Sequence, residues 1–318
     1  MADFSALAAR PGGAGALQAG KGALGRPAPA RAGGENRAAA RLEAALLRFL
    51  VRLGAALTAA VLVFLVGYIL VKGVPNLRPS LFAWTYNSGN VSLVPAALNT
   101  LLMTALSLLL ATPLGIFAAV WLVEYAPRGS RLVRLVRVTT ETLQGIPSIV
   151  YGLFGMLFFV TRLGWGLSLL SGGCTLAIMI LPLIMRTTEE SLLSVPDAYR
   201  EGSFGLGAGK LRTVFSVVLP SAMPGILSGV ILGTGRIVGE TAALMYTAGT
   251  VAAAASGADF LFDSTRTLSV HMYLLSTEGL HVNEAFGTAV VLLVLVLGIN
   301  ALSGWIAGRL AKGQTADE

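Results

Sequence analysis

Residues 201–220 read EGSFGLGAGKLRTVFSVVLP, and the fold turns on how this stretch is understood. Taken alone, the glycines of GLGAGK suggest a loop that cradles phosphate in a soluble nucleotide-binding domain. A Walker A loop needs Gly-x-x-x-x-Gly-Lys-[Ser/Thr], so that backbone N–H groups wrap the phosphates and the last hydroxyl holds Mg²⁺. Here Phe204 stands where the first glycine belongs, and Leu211 follows Gly209-Lys210 without a hydroxyl. The dinucleotide pattern Gly-x-Gly-x-x-Gly fails as well, because Lys210 and Arg212 occupy the two places open to its third glycine. The stretch is not a nucleotide site by itself, and its role has to come from what flanks it.

What flanks it is apolar. Of the 318 residues 55% are hydrophobic and only 12% are charged, a balance that no ordinary soluble domain of this length tolerates. The fold class is therefore an all-α membrane protein. From Phe49 to Val71 the only charge is Arg52, and about 23 residues rising about 1.5 Å each cross a bilayer core. Further apolar runs at 94–122, 143–160, 167–185, 214–248 and 286–308 give six expected spans. Pro113 lies in the second, and Gly145 with Pro147 in the third; such residues kink helices and need neighbours to satisfy the freed carbonyls. Residues 1–47, rich in Ala, Gly, Pro and Arg, read as a flexible tail, 48–311 as the transmembrane domain and 312–318 as a short C-terminal tail.

Lys and Arg stay on the cytoplasmic side of an inserted protein. The first tail carries Arg10, Lys21, Arg26, Arg31, Arg37, Arg41 and Arg48, the loop after span 2 carries Arg128, Arg131, Arg134 and Arg137, and the loop after span 4 carries Arg186, Arg200, Lys210 and Arg212. The alternate loops hold little beyond Lys72, Arg78, Arg162 and Arg266. Both termini are expected in the cytoplasm. Spread in this way, a net charge of +7 anchors topology and does not form a nucleic-acid patch. The lone Cys174 and the separated His271 and His281 exclude a disulfide framework and leave little for a metal centre.

The opening stretch then falls in a long cytoplasmic loop from Thr187 to Thr213. Its spacing is Glu201-Gly202-Ser203, three residues, Gly207, nine residues, Val217-Val218-Leu219-Pro220. This resembles the EAA motif of ABC-importer permeases, Glu-Ala-Ala, three residues, Gly, nine residues, Ile-x-Leu-Pro, which marks the loop that docks on the ATPase. Glu201, Gly207, Leu219 and Pro220 match, whereas Gly202 and Ser203 replace the alanines. Gly207 is expected to take a positive φ and turn the chain between two short helices; without a partner the same loop would be only a glycine-softened connection.

Span 5 contains Arg236, Glu240 and Thr241. A charge at membrane depth is costly and usually functional. Four residues apart in a continuous helix, Arg236 and Glu240 share a face and are expected to pair, either as mutual neutralisation or as the lining of a polar path. The planar fork of arginine suits an oxyanion such as phosphate, Thr241 adds a hydroxyl, and Gly233, Gly235 and Gly239 would admit a close neighbour. RIVGETAALMYTAG at 236–249, with TLQGIPSIVYGLFG at 142–155 and RTLSVHMYLLSTEGL at 266–280, closely resembles PstA-type permease subunits of bacterial phosphate ABC importers, over roughly residues 48–310. The resemblance implies a heterodimer with a PstC-type permease, a pair of PstB-type ATPases that carry the ATP and Mg²⁺, a PstS-type phosphate-binding protein, and residence in the bacterial inner membrane. It also implies no cofactor and no catalysis in this chain, and it extends the anion path to Arg186 at the inner end of span 4.

Other classes fit less well. A secondary transporter would show an internal repeat, which is missing, and an intramembrane enzyme would need a Ser-His or paired-Asp constellation, whereas both histidines fall in the loop between spans 5 and 6. An ABC importer for sulfate, molybdate or phosphonate is the alternative that composition and spacing leave open.

Overall fold

The computed structural model describes residues 34–127 and 129–313 of the chain. The described residues are helices and their connections, and by contact they divide into two units, one ending at Leu62 and one beginning at Val63. The first unit is the opening part of α1 (Gly34–Gly73). Exposed apolar side chains at Leu46, Leu47, Phe49, Leu50 and Val51 follow one another and so ring the helix, as lipid-facing helices require. Of the flexible tail expected over 1–47, the described part begins at Gly34. The tail's first 33 residues lie outside the described ones, but from Gly34 the chain is helical, because Ala-rich sequence around Ala38-Ala39-Ala40 and Ala44-Ala45 carries the highest helix propensity.

In the second unit, α2 (Val94–Val120) runs on into a wider π turn at Trp121–Tyr125. It packs on α5 (Leu169–Ser194), and α5 packs on α8 (Leu219–Val238), with the terminal helix α11 (Val282–Gly313) alongside. Glycines set the closeness of the α5–α8 contact: a methyl group at Gly225 would strike Ser191, and one at Gly229 would strike Thr187. The Gly233, Gly235 and Gly239 positions expected to do this have no such crowding.

Among the described residues, five helices are long and apolar enough to cross a membrane: Arg41–Asn76, Val94–Tyr125, Leu169–Ser194, Lys210–Val238 and Val282–Trp305. The third expected span, 143–160, is not straight. The helix α3 (Arg131–Gln144) and the segment formed by α4 (Ser148–Gly155) and a π stretch (Met156–Arg162) meet at 101°. Gly145 and Pro147 fall in the break, where the proline removes a donor and restricts the residue before it. Two hydrogen bonds fix the bend: Tyr151 Oη donates to the Leu143 carbonyl at 2.8 Å, and Gln144 Nε2 donates to the Pro182 carbonyl of α5 at 2.9 Å. The fifth span is also broken. α8 stops at Val238, Gly239 caps it, and the separate short helix α9 (Ala242–Thr247) follows.

Three apolar clusters run along the bundle. One at the loop end gathers Leu122, Val133, Leu192, Val214 and Val218; a central one gathers Met103, Leu176, Ile180, Ile184 and Leu244; one at the opposite end gathers Leu81, Val91, Leu93, Leu268 and Leu275.

Candidate functional site

The 187–213 stretch is shorter as a loop than the sequence implies, because α5 continues through Ser194. After it, α6 (Asp197–Gly205) and the single turn α7 (Lys210–Thr213) are joined at Gly207. Gly207 has φ +83°, as expected. Its N–H donates to the Phe204 carbonyl at 2.9 Å and the Ala208 N–H to the Ser203 carbonyl at 3.1 Å. This is the double closure of a helix C-terminus that demands a left-handed residue. Ser203 Oγ meets Thr213 Oγ1 at 2.8 Å and closes the two short helices into a knob. On its outside stand Glu201, with no partner among the described residues, and the exposed apolar side chains of Tyr199, Phe204 and Leu206, the last 92% exposed. Gly202 has open space around it. Leu219 and Pro220 open α8, so the motif ends where the long helix begins.

A residue that sequence reasoning passed over fastens the knob. Arg200 Nε and Nη2 both donate to Glu124 Oε1, at 3.1 and 2.8 Å, Nη2 also donates to the Leu192 carbonyl and Nη1 to the Val195 carbonyl. The two side chains are only 15% and 9% exposed. Glu124 lies in the π turn that ends the second span, so α6, α5 and α2 are tied through one guanidinium. The signal was present in the sequence as a lone carboxylate at the end of an apolar run beside four arginines. Beside this pair lies a cleft of about 550 Å³ lined by Glu124, Arg137, Asp197, Arg200, Phe204 and Lys210.

The Arg236–Glu240 pair is not formed. Among the described residues neither takes part in an ion pair, because the helix that would have stacked them ends two residues after Arg236 and the chain turns at Gly239. Glu240 is 8% exposed. Its Oε1 accepts from the Ala243 N–H at 3.1 Å, and its carbonyl accepts from Ser269 Oγ at 2.6 Å, so it caps α9 and ties it to α10 (Leu268–Glu278). Arg236 is left half-buried, without a hydrogen bond or ion pair among the described residues, near enough to Tyr151 to act on it electrostatically. Thr241 precedes α9 beside it, its hydroxyl without a hydrogen-bond partner among the described residues. The short helix is held in place by Gly152 of α4, where a Cβ would lie 2.7 Å from Ala243 Cα.

Arg186 sits elsewhere. The antiparallel register of Thr187 on Gly229 and Ser191 on Gly225 places it opposite residue 230, six residues below Arg236, about 9 Å along the axis at about 1.5 Å per residue. Its charge is matched by Glu141 at 3.0 Å and Glu190 at 2.9 Å, next to Arg137 on Glu189 at 2.6 Å. The structure therefore does not bring the two path candidates together: Arg186 is neutralised, and Arg236 is not.

A bundle of long apolar helices, one of them a bent pair, with a glycine-turned knob at one end, defines a class: permease chains of the type I ABC-importer fold. Residues 111–315 match the family described as binding-protein-dependent transport system inner membrane component, and the chain belongs to that family. It is 34% identical over 279 residues to the probable ABC transporter permease protein YqgI of Bacillus subtilis, covering 83% of this chain and 94% of that one. It is 35% identical over 213 residues to the phosphate transport system permease protein PstA 1 of Mycobacterium tuberculosis, covering 66% and 69%. A solved bacterial ABC transporter involved in the import of the acidic polysaccharide alginate aligns with TM-score 0.60 at 16% identity, over 85% of this chain and 99% of that one. An inward-facing MetNI methionine transporter aligns at 0.52 and 21%, over 76% and 96%. At these identities the solved structures speak to the fold alone.

Proposed function

We propose that this chain is a permease subunit of a binding-protein-dependent importer for inorganic phosphate. The observation that carries the reading is Arg236: a guanidinium at a break in a membrane helix, without a carboxylate on it, in a chain whose named relatives include several phosphate permeases. A bare cation at membrane depth lowers the cost of bringing an anion there, and transit requires binding weak enough for release. The partial exposure of Arg236 serves that second need. Thr241 offers a neutral hydroxyl, and Glu240, engaged with Ala243, leaves the field of Arg236 unspent.

The chain works in the bacterial inner membrane with both termini in the cytoplasm and the knob at the cytoplasmic face. It pairs with a PstC-type permease, receives phosphate from a PstS-type binding protein, and rests its knob on a PstB-type ATPase dimer that binds ATP and Mg²⁺. The chain itself has no Walker residues, so its part is non-catalytic. Glu201, Tyr199, Phe204 and Leu206 form the docking face. Movement of the ATPase passes through α6 to α2 and α5 along the Arg200–Glu124 tie.

The test is uptake of radiolabelled phosphate into proteoliposomes holding the assembled complex, with ATP inside and sulfate, molybdate or phosphonate as competitors. Phosphate uptake that the competitors do not suppress supports the reading; preferred uptake of a competitor replaces it with an importer for that oxyanion. Arg236→Gln is expected to lower uptake at least tenfold, about 1.4 kcal/mol, at unchanged assembly, since Glu240 keeps its own partner. Near-normal uptake would move the anion path away from Arg236.

A further inference from the structure

At the end of the bundle opposite the knob stands an arginine that sequence reading treats only as a loop charge. Arg266 is held by its backbone: its N–H donates to the Val251 carbonyl at 3.1 Å, and its carbonyl accepts from Asn99 Nδ2 at 3.3 Å. The side chain is 6% exposed, and its guanidinium carbon lies 4.5 Å from the ring centroid of Tyr86. Other arginines at α3, α5 and α6 have carboxylates, Arg137 on Glu189, Arg186 on Glu141 and Glu190, Arg200 on Glu124. Arg266 has none among the described residues.

Its Nε and Nη2 are both buried without a hydrogen-bond partner. These two N–H groups make one edge of the guanidinium, a two-pronged donor that fits two oxygens of an oxyanion. Beside them His271 is fully buried, edge-on to Tyr86 at 6.1 Å, next to the Val91 main chain, and neither ring nitrogen has a hydrogen bond of good geometry. Burial, and then the charge of Arg266, lower its pKa to about 3; it is neutral and adds one N–H donor without a second charge. Of the eight buried side-chain N and O atoms left without partners among the described residues, five belong to Thr265, Arg266 and His271.

Burying a guanidinium without a counter-ion is costly, and an anion on its open edge would offset that cost. The cover over the site is the 78–93 connection, which carries Tyr86 and Val91. Val91 is buried with φ +47°, a left-handed conformation that a β-branched residue adopts only under strain. Lifting this connection would relieve Val91 and uncover Arg266 together. We propose that Arg266 is an oxyanion-binding site, taking an inorganic phosphate-type anion on its Nε–Nη2 edge when the 78–93 connection opens, separate from Arg236. This rests on the reading of the chain as an importer of such an anion.

The experiment uses the assembled complex, with Arg266→Lys and Arg266→Gln. Lysine keeps the charge and the stem over Tyr86 but has no fork. Half-saturating phosphate for uptake is expected to rise about tenfold in both variants, about 1.4 kcal/mol, and thermal protection by inorganic phosphate is expected to fall in both. Protection is measured in zwitterionic vesicles with and without anionic phospholipid. In the wild-type complex, phosphate should also slow dicarbonyl modification of Arg266, mapped by peptide mass, a reading that holds even where a variant does not assemble. Wild-type behaviour of Arg266→Lys, or modification indifferent to phosphate, overturns the proposal and leaves Arg266 as a brace for Tyr86. Protection that needs anionic lipid and ignores inorganic phosphate overturns it in favour of a headgroup contact. A wild-type complex that transports no phosphate rejects the proposed function instead, while the modification assay still reads Arg266 directly.

Discussion

Replacing Arg200 by methionine is the sharpest probe of how the knob is held. The change keeps most of the apolar stem and removes two bonds to Glu124, two to the carbonyls of Leu192 and Val195 and one to the exposed Asp197 carboxylate. Glu124, 9% exposed, then stays buried without its cation. Breaking a buried ion pair on one side costs about 3–5 kcal/mol, which at about 1.4 kcal/mol per decade is roughly a hundred- to several-thousand-fold in the equilibrium that holds α6 on α2 and α5. Removing both charges is far milder, because no orphan charge remains; Arg200→Met with Glu124→Leu should recover most of the loss. The first assay is hydrogen exchange of the 197–213 amides in all four members of the cycle. Exchange should accelerate about a hundredfold or more in Arg200→Met and return to within about tenfold in the double variant. The second assay is ATP hydrolysed per phosphate imported by the reconstituted complex, which should rise in Arg200→Met because a loosened knob moves without pulling the spans. Exchange within threefold of wild type in Arg200→Met, or a double variant as loose as the single one, would show that the tie does not hold the knob.

Gly207→Val puts a β-branched side chain at φ +83° with nothing else near its Cβ, so the cost is backbone strain of about 1–3 kcal/mol; copurification with the ATPase should fall, while Gly207→Asn, which tolerates this conformation, should keep it, and equal retention in both would refute the turn argument. Gly152→Ala places a methyl 2.7 Å from Ala243 Cα, an overpacking of about 1–3 kcal/mol that should push α9 away and lower uptake through Arg236 with little loss of assembly; unchanged uptake would mean that the α4–α9 contact does not set the break. His271, with a folded pKa of about 3 against an ordinary 6.5, should give stability that is complete above pH 6.5 and declines as pH falls toward 3, by at most about 1.4 kcal/mol per unit. Thermal unfolding in detergent between pH 7 and 5 should therefore be steeper in pH for the wild type than for His271→Gln, and equal slopes would contradict it.

The sequence by itself determined the class. An apolar composition, runs long enough to cross a bilayer, and a glycine at fixed spacing between Glu201 and Leu219-Pro220 are local or one-dimensional properties, so the helices, the positive φ of Gly207 and the membership of a permease family follow from order along the chain. It also located the Arg236 neighbourhood, since a charge in an apolar run is visible without a fold. Only the tertiary structure decided what each charge faces. Helical spacing put Arg236 and Glu240 on one face, but α8 ends between them at Val238, and Ala243 and Ser269, brought in by α9 and α10, take Glu240. Arg200 finds Glu124 across 76 positions of sequence, and Arg186 finds Glu141 across 45; no periodicity links such distant residues. Arg266 is left bare because the α2 end, the 78–93 connection and α10 close around it without supplying a carboxylate. Partnering between charges is a property of which helices pack together, and packing is settled by contacts such as Gly225 on Ser191 and Gly152 on Ala243, whose meaning exists only once both sides are in place.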